Sequence, residues 1–183
     1  MTQQRKIIFA ILLIAFAVIS RLLLKNLPNV ETITVTVLLA GSMLGGVYAV
    51  VIALVAMAIS DMIIGNDAIL IFTWGAFAII GLLGLVLHKK KKTGFKYVLQ
   101  MTGLGMIASL LFYFLTNFGV WLMWPSMYSP TWQGLMQSYI MGLPFLRYNF
   151  LGNLVIVPVV VSIVVYAPAW LRSQESIKKF LKI

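Results

Sequence analysis

Apolar runs dominate this sequence, and they are too long and too numerous for a water-soluble fold. They occupy residues 7–24, 33–44, 47–64, 69–87, 97–118 and 150–169. About 20 consecutive apolar residues form a helix that crosses a bilayer, and such a helix satisfies its own backbone hydrogen bonds there. Hydrophobic residues fill 62% of the 183 positions and charged residues only 10%, which leaves no room for a separate soluble domain. We predict an all-α integral membrane protein with six transmembrane helices in a single membrane domain, residues 1–183.

The stretch from residue 33 to residue 64 determines the number of helices. It has no charge before Asp61, and one helix of that length would be roughly 48 Å long, whereas the hydrocarbon core is about 30 Å thick. Gly45 and Gly46 offer a break between two helices. With that break the basic residues gather on one side of the membrane, as the positive-inside rule requires. We therefore expect N and C termini in the cytoplasm and a multi-pass protein of the cell (plasma) membrane. The basic residues concerned are Arg5, Lys6, the lysines at 89–92, Lys96, Arg172, Lys178, Lys179 and Lys182.

The longest connection, residues 119–149, is expected on the outer side of the membrane. Within it, apolar and aromatic residues recur at helical spacing. The spacing predicts a short amphipathic helix in the outer loop between helices 5 and 6, ended by Gly142 and Pro144. The residues on its apolar face are Trp132, Leu135, Met136, Tyr139, Ile140 and Leu143.

Polar residues collect near the outer ends of the predicted helices. Ionisable groups at membrane depth usually face protein or a water-filled cavity, so the clustering predicts a polar recess that opens outward. Two members have a simpler interpretation: Asp61 pairs with Arg21 or Lys25 and ties helices together, and Arg147 extends to lipid headgroups. The cluster comprises Arg21, Lys25, Glu31, Asp61, Asn66, Asp67, Asn117, Arg147, Asn149 and Asn153.

An amide and two indoles share one stripe of the fifth helix if that helix continues far enough. Asn117, Trp121 and Trp124 are spaced by four and three residues. The stripe suits a flat, partly polar organic ligand, although tryptophans at this depth also form the ordinary interfacial belt. The candidate substrate-binding residues are Asn117, Trp121, Trp124, Tyr128, Trp132, Tyr139, Arg147, Asn149, Asn153, Asp61 and Asp67.

The sequence lacks the usual parts of a catalytic or metal site. It has no cysteine, and its one histidine, His88, adjoins the lysine run and is interpreted as a solvated boundary residue. No G-x-x-x-x-G-K-[ST] motif is present, so a P-loop for ATP is missing. We expect no enzymatic activity and no metal. The basic residues flank apolar runs, so we expect no nucleic-acid partner.

Three stretches resemble the S components of energy-coupling factor (ECF) transporters. They are the turn "GSMLGG", the helix end "ISDMIIGND" and the segment "LTNFGVWLMWPSMYSPTWQGLMQSYIMGLPFLRYNFLGNLV". The resemblance implies a membrane subunit of a prokaryotic cell that binds a vitamin or related micronutrient from outside. It also implies partners: a transmembrane coupling protein and two cytoplasmic ATPases, in which ATP hydrolysis takes place. The family's docking face on the first helix corresponds to Ala10, Ala15 and Ala17, but Ala10 and Ala15 are five residues apart, whereas many S components have Ala-x-x-x-Ala.

The cargo is open at the level of sequence. Methionines in the outer segment, Met127, Met136 and Met141, favour a large ligand held by adaptable apolar contacts. Cobalamin or another corrinoid is the first expectation, as a transported ligand and not a covalently bound cofactor, and riboflavin is the second. Two other classes remain: a non-transport six-helix scaffold or assembly subunit, and a lipid-modifying enzyme that uses Asp61 and Asp67.

Overall fold

The computed structural model describes residues 2–27, 29–65 and 68–180, with side chains through residue 167. The described residues form six α-helices in the predicted order, and the all-helical architecture is confirmed. A short 3₁₀ helix, Gly84–Leu87, extends α4. The α-helices are α1 (Gln3–Leu24), α2 (Ile33–Met43), α3 (Gly46–Ile64), α4 (Leu70–Leu83), α5 (Gly94–Met123) and α6 (Trp132–Phe180).

The predicted break between α2 and α3 is present, at Gly45. This residue has φ +110° and ψ 173°, a conformation that favours glycine because a Cβ would be strained there. The six predicted helices are present, and in the part of the chain that the structure describes, five of them are long and apolar enough to cross a membrane. The helix α2 has only 11 residues and is about 16 Å long, roughly half the hydrocarbon thickness.

The short helix α2 is the centre of the bundle. All residues from Ile33 to Ser42 are buried. A Cβ on Gly41 would lie 2.0 Å from the carbonyl oxygen of Gly81, and one on Gly84 would lie 2.4 Å from that of Leu38. The backbones of α2 and α4 therefore touch, which is the close approach that small residues permit between helices in lipid.

Side-chain contacts define two ends of the bundle. At one end, which we call the basic end, Gln3 Nε2 donates a hydrogen bond to Tyr48 Oη at 2.9 Å, and His88 Nδ1 donates one to the carbonyl oxygen of Ser42 at 3.0 Å. This end carries Arg5, Lys6, Lys96 and the lysines at 89–92. His88 is thus half-buried and bonds to the last turn of α2, which corrects its interpretation as a solvated boundary residue.

At the opposite end, α5 and the first turns of α6 form an antiparallel pair. Tyr113 Oη donates a hydrogen bond to the carbonyl oxygen of Tyr139 at 2.6 Å, and Ser138 Oγ donates one to that of Asn117 at 2.8 Å. The predicted separate amphipathic helix is wrong, because residues 132–143 are the first turns of the continuous helix α6.

Two residues that were expected to end that helix have other positions in the fold. Gly142 is buried against α5, where a Cβ would lie 2.3 Å from Asn117 Oδ1. The glycine therefore permits close packing of α6 on α5 and does not end a helix. Pro144 lies inside the helix, as neighbouring helices permit in membrane proteins. The connection between α5 and α6 is consequently only residues 124–131.

Candidate functional site: a recess between α1, α4, α5 and α6

A recess opens at the end of the bundle opposite the basic end. It has two adjoining chambers of about 270 and 350 Å³, and both are lined by Asn29, Thr73 and Phe112. An extension of about 30 Å³ continues between α5 and α6. We call the larger cavity chamber B and the other chamber A. The further lining side chains of chamber A include Arg21, Lys25, Glu31, Met57 and Phe77, and those of chamber B include Thr116, Asn117, Met127, Tyr128, Met141 and Phe145.

An ion pair fixes one wall of chamber A. The Arg21 guanidinium pairs with Asp61 and also donates to Ser60 Oγ. Trp74 Nε1 donates to the second carboxylate oxygen of Asp61 at 2.7 Å. The Asp61 side chain is 6% exposed and does not line the recess. The carboxylate therefore joins α1, α3 and α4, the structural interpretation that the sequence favoured.

Glu31 closes the turn between α1 and α2. Its carboxylate accepts hydrogen bonds from the backbone N–H of Thr34 at 2.8 Å and from Thr34 Oγ1 at 2.6 Å, which caps the start of α2. Asn149 Nδ2 lies 3.5 Å from Glu31 Oε1 and 3.2 Å from the carbonyl oxygen of Asn29. Burial raises the pKa of Glu31 above its ordinary value of 4.5, and the bonds from Thr34 oppose that rise.

A chain of amides leads from Glu31 towards the middle of the bundle. Asn153 Nδ2 donates to Asn149 Oδ1 at 3.1 Å and to Ser109 Oγ at 3.0 Å. Both asparagines are buried, and Asn153 Oδ1 has no hydrogen-bond partner among the described residues. Asn149 lines the small extension of the recess, whereas Asn153 lies behind it. The chain ties α6 to α5 and to the turn before α2.

Chamber B combines amide, hydroxyl and apolar groups. Asn117 Nδ2 donates to the carbonyl oxygen of Tyr113 at 2.8 Å, which holds its amide against the chamber wall. Tyr128, from the short α5–α6 connection, lines the same chamber. Two methionines and two phenylalanines complete it, so a ligand there would meet adaptable apolar surface beside a few polar groups.

Several candidate residues do not line the recess. Trp121 Nε1 donates to the carbonyl oxygen of Ser129 at 2.9 Å, and Trp124 ends α5. Trp132 is 69% exposed, and Tyr139 packs on Tyr113. The others outside the lining are Arg147, which is exposed, Asn153 and Asp61, while Asp67 and Asn66 lie outside the described residues. Ligand contact by each of these side chains stays a prediction.

Residues 1–175 match the family described as "Family of unknown function (DUF6580)". The chain belongs to this family. No curated protein and no solved structure matches it. The match spans all six helices of the DUF6580 chain up to residue 175, so the recess and the basic end both lie inside the family's boundaries.

The three candidate docking alanines on α1 of this DUF6580 protein differ in how exposed they are. Ala17 is fully buried in the core, Ala10 is half-buried and Ala15 is exposed. Ala15 lies in a wholly apolar groove with Ile11, Ile19 and Ile59. A docking face on α1 would therefore include Ala15 and exclude Ala17. Within the described ranges, no group of three His, Cys, Asp or Glu side chains could hold a metal.

The sequence did not reveal several lining residues. Thr73 and Phe112 belong to both chambers, and Trp74 holds Asp61, yet none stands out from its apolar helix. Thr116 immediately precedes Asn117 on α5, and both line chamber B. Its position next to a candidate residue could have marked Thr116 as a lining residue, whereas helical spacing did not. Asn29 has φ +55°, an uncommon conformation for a residue other than glycine, and it lies in the α1–α2 turn.

Proposed function

We propose that this multi-helix membrane protein is the substrate-binding S component of an ECF-type importer and takes up a vitamin or related micronutrient. The observation that supports the proposal is the recess, a cavity with polar and aromatic lining at one end of an otherwise apolar bundle. Ligand pockets commonly combine concave apolar surface with a few polar groups, and they measure about 300–1,000 Å³. The recess has these properties.

The distribution of charge supports an outward orientation for the recess. Lysines and arginines concentrate at the basic end, which the positive-inside rule assigns to the cytoplasm. The recess lies at the other end and would therefore face outside, where an uptake protein meets its cargo. Partner ATPases and a coupling protein would supply the energy, since the sequence has no P-loop.

The size of the recess bears on the cargo. The two chambers together suit a flat heterocycle of the size of riboflavin, with its ring over Phe112, which lines both chambers. A corrinoid such as cobalamin is much larger than either chamber, and it would require the 124–131 connection to move away from α4. The proposal accordingly places a riboflavin-sized ligand ahead of cobalamin.

Thermal unfolding of the detergent-purified protein with a vitamin panel tests the proposal. The panel contains riboflavin, thiamin, biotin, folate, pantothenate, cobinamide and cobalamin. A ligand at 100 times its dissociation constant adds about 2.7 kcal/mol of apparent stability, which a thermal midpoint reports clearly. We expect at least one member to raise the midpoint.

A pair of variants locates the binding site. Thr116 lines chamber B and bonds to the carbonyl oxygen of Phe112, while Thr102, four turns earlier on α5, makes the equivalent bond to Val98 and lines neither chamber. Thr116→Phe should fill the recess and abolish the ligand-induced shift, and Thr102→Phe should preserve it. A folded wild-type protein that responds to no vitamin would contradict the proposal and favour the scaffold function.

A further inference from the structure

We propose that the ligand of the recess carries one anionic group, a carboxylate or a phosphate, which contacts the ammonium group of Lys25. This inference rests on the proposed function and specifies the chemical class of the ligand. It follows from which charged groups around chamber A already have partners. Among the described residues, three charged side chains line that chamber: Arg21, Lys25 and Glu31.

Two of these three charged groups are occupied by the protein itself. Arg21 is held by Asp61 and Ser60, and its positive charge is balanced by the buried carboxylate. Both oxygens of Glu31 accept hydrogen bonds from Thr34, and Asn149 adds a longer contact. Glu31 is therefore committed to the start of α2, and a ligand cation would have to compete with these donors.

Lys25 is the exception among the three. Within the described part of the chain it has neither a hydrogen bond nor an ion pair, and it is exposed at the mouth of chamber A. It is also one turn after Arg21 on α1, so a ligand group held by Lys25 would lie beside the Arg21–Asp61 pair. Lysine is uncommon at the outer side of a membrane protein. The described lining of the recess therefore presents one available positive charge, and a ligand anion complements it.

The rest of the recess determines the other end of the ligand. Beyond Phe112, chamber B offers Met141 and Phe145 with the neutral polar groups of Thr116 and Asn117. No acid or base of the described residues lines chamber B. The geometry fits an amphipathic molecule whose anion lies against α1 and whose flat, uncharged body extends towards α6.

Matched acid and neutral ligands test this inference. The probes are nicotinate with nicotinamide, biotin with biotinamide, lipoate with lipoamide, pantothenate with pantothenol, and riboflavin phosphate with riboflavin. Binding is measured by titration calorimetry and thermal unfolding at 50 and 500 mM NaCl. For at least one pair, we expect the anion to bind at least about tenfold more tightly than its neutral partner. The difference in affinity should be smaller at high salt.

Three variants connect the preference to Lys25. Lys25→Met keeps the apolar stem and should remove the preference for the anion, whereas Lys25→Arg should keep it. Lys6→Met makes the same substitution at the basic end of α1 and should leave affinity unchanged. Equal binding of both members of every responding pair, or a preference that survives in Lys25→Met, would overturn this inference and leave solute binding intact. If no probe binds the folded wild-type protein, the inference fails together with the proposed function.

Discussion

The Arg21–Asp61 pair gives the sharpest test of what stabilises this bundle. Asp61→Ala would leave the guanidinium of Arg21 without its counter-charge and Trp74 Nε1 without its acceptor. Removing one member of a fully buried pair costs about 3–5 kcal/mol. The Arg21 side chain is 21% exposed, so water in the recess would solvate part of the charge. We therefore expect a loss of about 2–3 kcal/mol.

The assay is equilibrium unfolding in mixed micelles with increasing SDS, followed by tryptophan fluorescence. A double-mutant cycle with Arg21→Met isolates the pair, and we expect a coupling of at least about 1 kcal/mol because the double variant no longer leaves a charge unpaired. Met62→Ala, at a residue of α3 that is itself 85% exposed, is the control and should change stability by less than about 0.5 kcal/mol. Wild-type stability of Asp61→Ala, or additive effects in the cycle, would refute the structural role of this carboxylate.

Two further predictions concern α6 and the α1–α2 turn. Gly142→Ala places a methyl group 2.3 Å from Asn117 Oδ1 and should lower stability by about 1–3 kcal/mol in the same assay. At Gly103 the new methyl group would meet no described atom within 4 Å outside the adjacent backbone of α5, so Gly103→Ala should stabilise α5 slightly. Equal effects of the two substitutions would contradict the packing argument. Because burial raises the pKa of Glu31, its carboxyl group stays protonated to higher pH in the folded protein than in the unfolded chain. The free energy of unfolding should therefore fall as pH rises from about 4.5 through the folded-state pKa. The thermal midpoint should therefore be higher at pH 5 than at pH 8, and Glu31→Gln should reduce the difference; identical pH profiles would show that Glu31 contributes none of it.

The sequence predicted the helical elements well where a local cause set the boundary. The glycine pair at 45–46 ended α2 as expected, since only a residue without Cβ adopts the required φ cheaply. Boundaries that depend on neighbouring helices were less predictable. The helix α5 continues to Met123, beyond the predicted end at residue 118. In this extension Gly119 packs directly against the ring of Phe72, and the spacing of apolar residues does not predict that contact.

The candidate site was predictable only in part, because amide and charged residues stand out in an apolar sequence, whereas lone hydroxyl residues and apolar lining residues do not. Asn117, Tyr128 and Asn149 were singled out and do line the recess or its extension. Thr73 and Phe112 were not, although they join the two chambers. Spacing also grouped Trp121 with Asn117, but the indole of Trp121 turns to the backbone of Ser129. Side-chain direction at a helix end depends on the following connection, which spacing does not encode.

The glycine contact between α2 and α4 divides the molecule into parts that can and cannot shift. Where the backbones of Gly41 and Gly81 touch, no side chain lies between the helices whose rotamer could change and let one slide past the other. Spin labels at Met43, the one residue of α2 that is not buried, and at the exposed Ile79 of α4 should report a constant distance in every state of the protein and provide an internal ruler. Any opening of the recess would then appear as displacement of α1, or of the α5–α6 pair, measured against that ruler.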